Sequence, residues 1–141
     1  MAIDVTRRYG FAASHRLHSP SFSEKENIAA FGKCNNPYGH GHDYEIFVTA
    51  SGPLDDRTGR VFDPAVLDGL VARRVLEAYQ HKNMNTDVPE FAVTVPTTEN
   101  LASAIAKRLQ DYWTEAFPTG LPRLSKVRIR ETDRNSFELI L

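Results

Sequence analysis

The stretch HGHDYEIFVTA, residues 40–50, decides the predicted fold because its side chains alternate in character along the chain. In an extended strand, side chains two positions apart lie on the same face of the sheet. One face of this segment carries two histidines followed by aromatic and aliphatic side chains: His40, His42, Tyr44, Ile46, Val48 and Ala50. The pattern predicts a half-buried β-strand on which His40 and His42 point the same way.

The same alternation occurs at the start of the chain and near its end. From Ile3 the apolar residues fall on odd positions, and the pattern continues through Phe11 to His15, which predicts a strand with His15 on its apolar face. Two further strands are predicted around Val127–Ile129 and Phe137–Leu141, and a short one at residues 61–62 after the turn-rich SGPLDDRTG. The polar HSPSFSEKEN, residues 18–27, predicts a loop.

Two segments have helical spacing instead. Asp63 followed by Pro64 is typical of a helix start, and the apolar stripe behind it predicts a helix ending near Tyr79. A second helix is expected from the PTTEN motif, residues 96–100, with Thr97 or Thr98 as its cap and residues 118–120 as its stop.

The order strand, strand, helix, helix, strand, strand predicts an α+β domain, with a four-stranded antiparallel sheet and two helices on one face. We expect residues 1–141 to form one domain, because a chain of this length removes roughly 70% of its unfolded surface from water. Such a sheet has two edges and a second face that need cover, which favours self-association.

Composition excludes several classes of protein. The net charge is −1 and charged residues make up 25% of the chain, so no polyanion-binding surface is expected and nucleic acid is not a predicted partner. No apolar run approaches the ~20 residues of a membrane span. The first ten residues lack a signal-peptide core, and one cysteine cannot form an internal disulfide. These features predict a cytoplasmic protein without a membrane partner.

Three histidines form the candidate metal site. His40 and His42 on one strand supply two nitrogens, and His15 supplies a third if its strand pairs with theirs. Three protein ligands with an open fourth position are typical of catalytic zinc. A two-histidine pair at this spacing is common, however, and any single histidine is equally a surface or core residue, which is the favoured interpretation of His18.

The roles of the other polar candidates stay open at this level. Cys34 fits a small buried apolar residue, a reactive thiolate beside a metal, or a fourth ligand that closes a structural site. Glu131 follows Val127 and Ile129 at two-residue intervals, so in a continuous strand it would share their apolar face, where a carboxylate needs a partner. Alternatively, the strand ends there and bends into solvent. The segment Thr97–Glu99 fits helix capping as well as ligand binding.

Five motifs taken together resemble the 6-pyruvoyl-tetrahydropterin synthase family, which includes the 6-carboxytetrahydropterin synthases of queuosine biosynthesis. They are FAASHRLHS (11–19), FGKCNNPYGHGHDY (31–44), QHKNMNTDVPEF (80–91), TTEN (97–100) and RETD (130–133). The resemblance covers essentially the whole chain. It implies the tunnelling fold, in which trimers close their sheets into a barrel and two trimers stack as a hexamer, with active sites between subunits.

The resemblance also implies the roles of individual residues. Zinc is expected on His15, His40 and His42, with Cys34 as general base and His81 assisting it from a neighbouring subunit. Glu131 is expected to be catalytic and to anchor the pterin ring, with help from Thr97, Thr98 and Glu99.

The implied reaction is carbon–oxygen lysis of 7,8-dihydroneopterin triphosphate, which yields 6-pyruvoyltetrahydropterin and triphosphate for tetrahydrobiopterin biosynthesis. The five residues between Cys34 and His40 resemble this branch more than the carboxy branch, whose compact motif has three. The carboxy product remains an alternative, as do a non-catalytic pterin-binding protein and a structural zinc protein with one cysteine and three histidine ligands.

One position departs from the family pattern. Gln80 stands where the family usually has an aspartate before the assisting histidine. A carboxylate would orient that imidazole and stabilise its protonated form, whereas an amide brings no charge. We therefore expect slower turnover or a shifted pH optimum.

Overall fold

Two long antiparallel strands form the centre of the fold, in a computed structural model that describes residues 1–141. Strands β1 (Ile3–His15) and β2 (His40–Gly52) pair along their whole length, from Ile3 opposite Gly52 to His15 opposite His40. Strand β4 (Arg123–Arg130) pairs with β2, and β5 (Ser136–Ile140) pairs with β4. The predicted four-stranded antiparallel sheet is confirmed.

The predicted helices also form, with the expected starts. Asp63 Oδ1 accepts the Ala65 N–H at 3.0 Å before α2 (Pro64–Val71), which continues through a π-helical turn (Ala72–Leu76) into α3 (Glu77–Tyr79). Thr97 Oγ1 accepts the Asn100 N–H at 3.2 Å and caps α5 (Thr98–Ala116). These bonds satisfy amide groups that have no partner in the first helical turn. No helix is long and apolar enough to cross a membrane.

The core lies between one face of the sheet and helices α2 and α5. The sheet supplies the alternating side chains that the sequence predicted, and the helices supply their apolar stripes. The fully buried members include Ile46, Val48, Val127, Ile129, Leu67, Leu70, Leu101, Ile105 and Leu109. Because His15 and His42 belong to the same alternation as these residues, the packing of the core turns them towards the helices rather than to solvent.

The structure corrects two local predictions and adds one short strand and one short helix. Helix α1 (Glu24–Phe31) begins inside the segment predicted as a loop and extends beyond it; its start is a capping box formed by Ser23 and Glu26, a sequence pattern typical of helix starts. Residues 61–62 form no strand, because the preceding turn closes on a single bridge between Asp55 and Arg60. A two-residue strand, β3 (Lys82–Asn83), adds a parallel pairing to β1. It is followed by the short helix α4 (Met84–Asp87).

Candidate active site

Three histidine rings meet where β1 and β2 end together. His15 and His40 are direct partners in the β1–β2 register, and His42 lies two residues further along β2. One ring nitrogen from each lies within 4.8 Å of the other two. The structure thus brings together the three residues that the sequence nominated as metal ligands.

The protonation of His15 leaves one of its nitrogens free for a metal. Its Nδ1 lies 2.8 Å from the Pro96 carbonyl oxygen, which can only accept, so Nδ1 carries the proton and Nε2 keeps its lone pair. The Nε2 atoms of His15 and His42 are buried without a hydrogen-bond partner. Burial lowers the pKa of both His15 and His40, which favours neutral rings. Neutral imidazoles with orphaned nitrogens fit a divalent metal such as zinc.

Cys34 lies in the 3₁₀ turn Gly32–Asn35, half-exposed on a cavity of about 600 Å³ that His40, His42 and Glu131 also line. Its side chain makes no hydrogen bond. Backbone contacts hold the turn instead, since Cys34 O accepts the Leu17 N–H at 2.8 Å. Cys34 therefore lines the same cavity as two of the three histidines.

A residue that the sequence analysis did not nominate holds this turn against the end of β1. Asn35 is 7% exposed, its Nδ2 donates to Leu17 O at 2.8 Å, and its own carbonyl accepts from Arg16 Nε at 3.0 Å. Asn85 binds the backbone N–H and carbonyl of Arg16, at 2.7 and 2.9 Å. No local pattern distinguishes these asparagines from ordinary loop residues, because their partners are distant in sequence.

Glu131 directly follows β4, and its carboxylate lies among the histidines. Oε1 is 3.3 Å from His42 Nε2 and 3.9 Å from His15 Nε2, and the side chain is 14% exposed. The sequence allowed Glu131 to lie on the apolar face of the sheet or in solvent, and the structure places it on the apolar face.

His81 lies in a different cavity, of about 520 Å³, which is lined by residues of β1, β2 and the segment around β3. It is exposed and has a positive φ of 58°. Gln80 Oε1 accepts the Ala12 N–H at 2.9 Å, and Gln80 Nε2 is 3.2 Å from His81 Nε2. Within one chain, His81 does not share a cavity with Cys34.

The segment Thr97–Glu99 follows directly in sequence on a residue that contacts His15. Pro96, which binds His15, immediately precedes it. Thr97 is occupied as the helix cap, Thr98 Oγ1 is buried without a partner, and Glu99 is exposed with no ion pair or hydrogen bond. None of the three lines the cavity of Cys34.

The chain is similar to known proteins over almost its whole length. A model of the family described as 6-pyruvoyl tetrahydropterin synthase matches residues 4–140. The human 6-pyruvoyl tetrahydrobiopterin synthase is 46% identical over 131 residues, which cover 93% of this chain and 86% of the human one. The Drosophila melanogaster protein of the same name is 44% identical over 133 residues, covering 93% and 75%.

A solved structure shows the same likeness in three dimensions. The Caenorhabditis elegans 6-pyruvoyl tetrahydropterin synthase superposes with a TM-score of 0.91 at 37% identity, covering 100% of this chain and 96% of that chain. The predicted tunnelling fold is thereby confirmed for the single chain. By sequence and by structure, the chain belongs to the 6-pyruvoyl tetrahydropterin synthase family.

Proposed function

We propose that this protein is a zinc-dependent lyase that converts 7,8-dihydroneopterin triphosphate to 6-pyruvoyltetrahydropterin and triphosphate, in the cytoplasm and for tetrahydrobiopterin biosynthesis. The observation that carries the proposal is the cavity that Cys34 shares with His40, His42 and Glu131. It combines a proton acceptor with a metal site in one space. The names of the relatives, with human and fly proteins above 40% identity, support the pyruvoyl product.

The chemistry divides between the metal and the chain. Zinc on His15, His40 and His42 would polarise the side-chain hydroxyls of the substrate and acidify the adjacent C–H bonds. Cys34, as thiolate, removes a proton from carbon while triphosphate leaves, and internal proton transfers complete the product without a redox cofactor. Glu131, which lines this cavity, holds the substrate, because a carboxylate accepts hydrogen bonds from the pterin's N–H groups. The help expected from Thr97, Thr98 and Glu99 rests on the family resemblance alone.

The competing functions differ in measurable products. A 6-carboxytetrahydropterin synthase of the queuosine pathway would release acetaldehyde from the same substrate, and a non-catalytic pterin-binding protein would release no triphosphate. In the decisive experiment, zinc-loaded protein is incubated with 7,8-dihydroneopterin triphosphate, triphosphate release is followed, and the pterin product is identified by mass. A pyruvoyl product is expected. A carboxy product, or no release by protein that binds zinc and pterin, contradicts the proposal.

Gln80 provides a test of the assisting histidine. Because its amide contacts His81 Nε2, we expect Gln80→Asp to place a negative charge beside the ring and raise kcat by about 10-fold, well below the roughly 10⁴-fold of a serine-protease triad. Gln80→Asn has the same length as Asp without the charge and should not raise kcat. Steady-state rates across pH measure both variants. Unchanged rate and pH profile in Gln80→Asp would show that His81 does not depend on its neighbour's charge.

The assembly we propose is a trimer whose sheets close into a barrel, stacked in pairs as a hexamer. Strand β5 has one unpaired edge, and its residue Ile140 is 72% exposed. At the other side of the sheet, β3 pairs with only two residues of β1. Such edges pair readily with another strand. Closure would also explain why His81 and Cys34 occupy separate cavities in one chain, since each site would take its His81 from a neighbour.

Mixed oligomers test this arrangement. We expect Cys34→Ala and His81→Ala each to be impaired alone. A co-refolded 1:1 mixture should recover about one quarter of the wild-type rate, because random assembly gives about one quarter of the sites an intact Cys34 from one subunit and an intact His81 from its neighbour. Light scattering should give a mass of six chains. A mixture no more active than the two separate variants, or a monomeric mass, would contradict sites shared between subunits.

A further inference from the structure

Gln80 and His81 are fixed against strand β1 by the two polar groups of a single backbone residue. Gln80 Oε1 accepts the Ala12 N–H at 2.9 Å, and Ala12 O accepts the His81 N–H at 2.6 Å. His81 has a positive φ of 58°, a conformation that a non-glycine residue keeps only where its surroundings hold it. The two bonds to Ala12 therefore fix where the Gln80 side chain lies relative to the His81 ring.

The orientation of the Gln80 amide follows from its partner on β1. A backbone N–H can only donate, so the amide atom that faces Ala12 is the oxygen. Exchanging the amide oxygen and nitrogen would set two donors against each other at 2.9 Å. The amide nitrogen of Gln80 is consequently the atom that lies 3.2 Å from His81 Nε2.

The contact between this amide and the His81 ring decides which ring nitrogen carries the proton. An amide nitrogen can only donate, so a hydrogen bond between the two requires His81 Nε2 to be the acceptor. Because the bond made by one ring nitrogen sets the tautomer, the proton of the neutral ring is on Nδ1. Nδ1 makes no hydrogen bond within the chain, and neither Asp43 nor Asp87, which line the same cavity, forms an ion pair with the ring.

We propose that Gln80 is a positioning residue that fixes His81 as the Nδ1–H tautomer, so that the ring presents a hydrogen-bond donor to the adjoining active site instead of a lone pair. The consequence for catalysis rests on the proposed function, in which this ring meets Cys34 of a neighbouring subunit. There the Nδ1–H donates to the Cys34 thiolate and stabilises its charge. A carboxylate at position 80 would do the opposite, because it accepts from Nε2–H and leaves the Nδ1 lone pair free to take a proton.

The test measures the protonation of His81 Nε2 by ¹⁵N NMR in the zinc-loaded protein with labelled histidine, without substrate. A bare and a protonated imidazole nitrogen differ widely in ¹⁵N chemical shift, and the spectrum of His81→Ala identifies the His81 signals. In mildly alkaline solution, where imidazoles are neutral, we expect Nε2 of the wild type to be bare in most molecules. In Gln80→Glu, one oxygen still accepts from Ala12 while the other replaces the amide nitrogen, so Nε2 should become protonated. Gln110→Glu makes the same substitution at an exposed position of α5 and should leave the His81 signals unchanged.

The outcomes separate this inference from the proposed function, because the NMR measurement requires no turnover. A bare Nε2 in wild type that becomes protonated in Gln80→Glu, but not in Gln110→Glu, supports the inference. It does so even in a protein that releases no triphosphate, a result that would overturn the lyase alone. A protonated Nε2 in wild type overturns the inference, and so does an Nε2 in the same state in wild type and in Gln80→Glu. If Gln80→Glu does not fold, the state of Nε2 in the wild type decides by itself.

Discussion

Replacing Cys34 with alanine is expected to slow triphosphate release by about 10³-fold, within the 10²–10⁴-fold range that general acid–base catalysis typically contributes. The thiol is the proton acceptor in the proposed reaction, and it is the chain's only cysteine, so no second thiol can replace it. The loss should fall on kcat rather than on substrate affinity, because the thiolate acts on the C–H bond that breaks. Single-turnover rates with zinc-loaded protein measure the step directly.

The fold should tolerate this substitution. The Cys34 side chain is half-exposed and makes no hydrogen bond, and the turn is held by the Leu17–Cys34 backbone bond and the Asn35 side chain. Zinc content and thermal stability should therefore match those of wild type. Cys34→Ser, which keeps a much less acidic hydroxyl, should be impaired almost as strongly.

A different pattern would identify Cys34 as a structural ligand. If Cys34→Ala lost zinc affinity, and if the wild-type thiol resisted alkylation until zinc was removed, the site would hold a closed sphere of one cysteine and three histidines. A Cys34→Ala protein that turned over at the wild-type rate would exclude the general-base role outright.

Removing His40 is expected to abolish tight metal binding and, with it, activity. Mutating partners beyond the first ligands of a metal site already costs 10–100-fold in affinity, so loss of a ligand in His40→Ala should cost at least about 100-fold. His40 suits this test better than His15 because it is only half-buried, whereas His15 is 1% exposed and binds Pro96. Chelator competition with zinc measures the loss.

His81→Ala is the matched control for that measurement. It removes an imidazole that is exposed and lies outside the cluster, so zinc affinity should not change. Added zinc should raise the melting temperature of wild type and His81→Ala but not of His40→Ala, since a ligand that binds only the native state stabilises it. Equal zinc affinity in His40→Ala and wild type would mean that the three rings do not form the site.

Local sequence patterns were sufficient for the secondary structure that carries the site. The alternation in residues 3–15 and 40–50 predicted both long strands, and the Asp63 and Thr97 caps predicted where the long helices begin. Such patterns are local because burial repeats with the period of the strand or helix. Helix α1 was missed although Ser23 and Glu26 form a capping box, since its apolar pattern is weak.

The sequence by itself determined which residue types were available: three histidines at strand positions, one cysteine between the first and the second of them, and a carboxylate at the end of a strand in phase with its buried residues. Only the tertiary structure decided how they meet. The His15–His40 register, the Pro96 contact that leaves His15 Nε2 free, and the approach of Glu131 to His42 each join residues at least 25 positions apart. Contacts of this kind depend on how whole strands and helices pack, and no local periodicity encodes them.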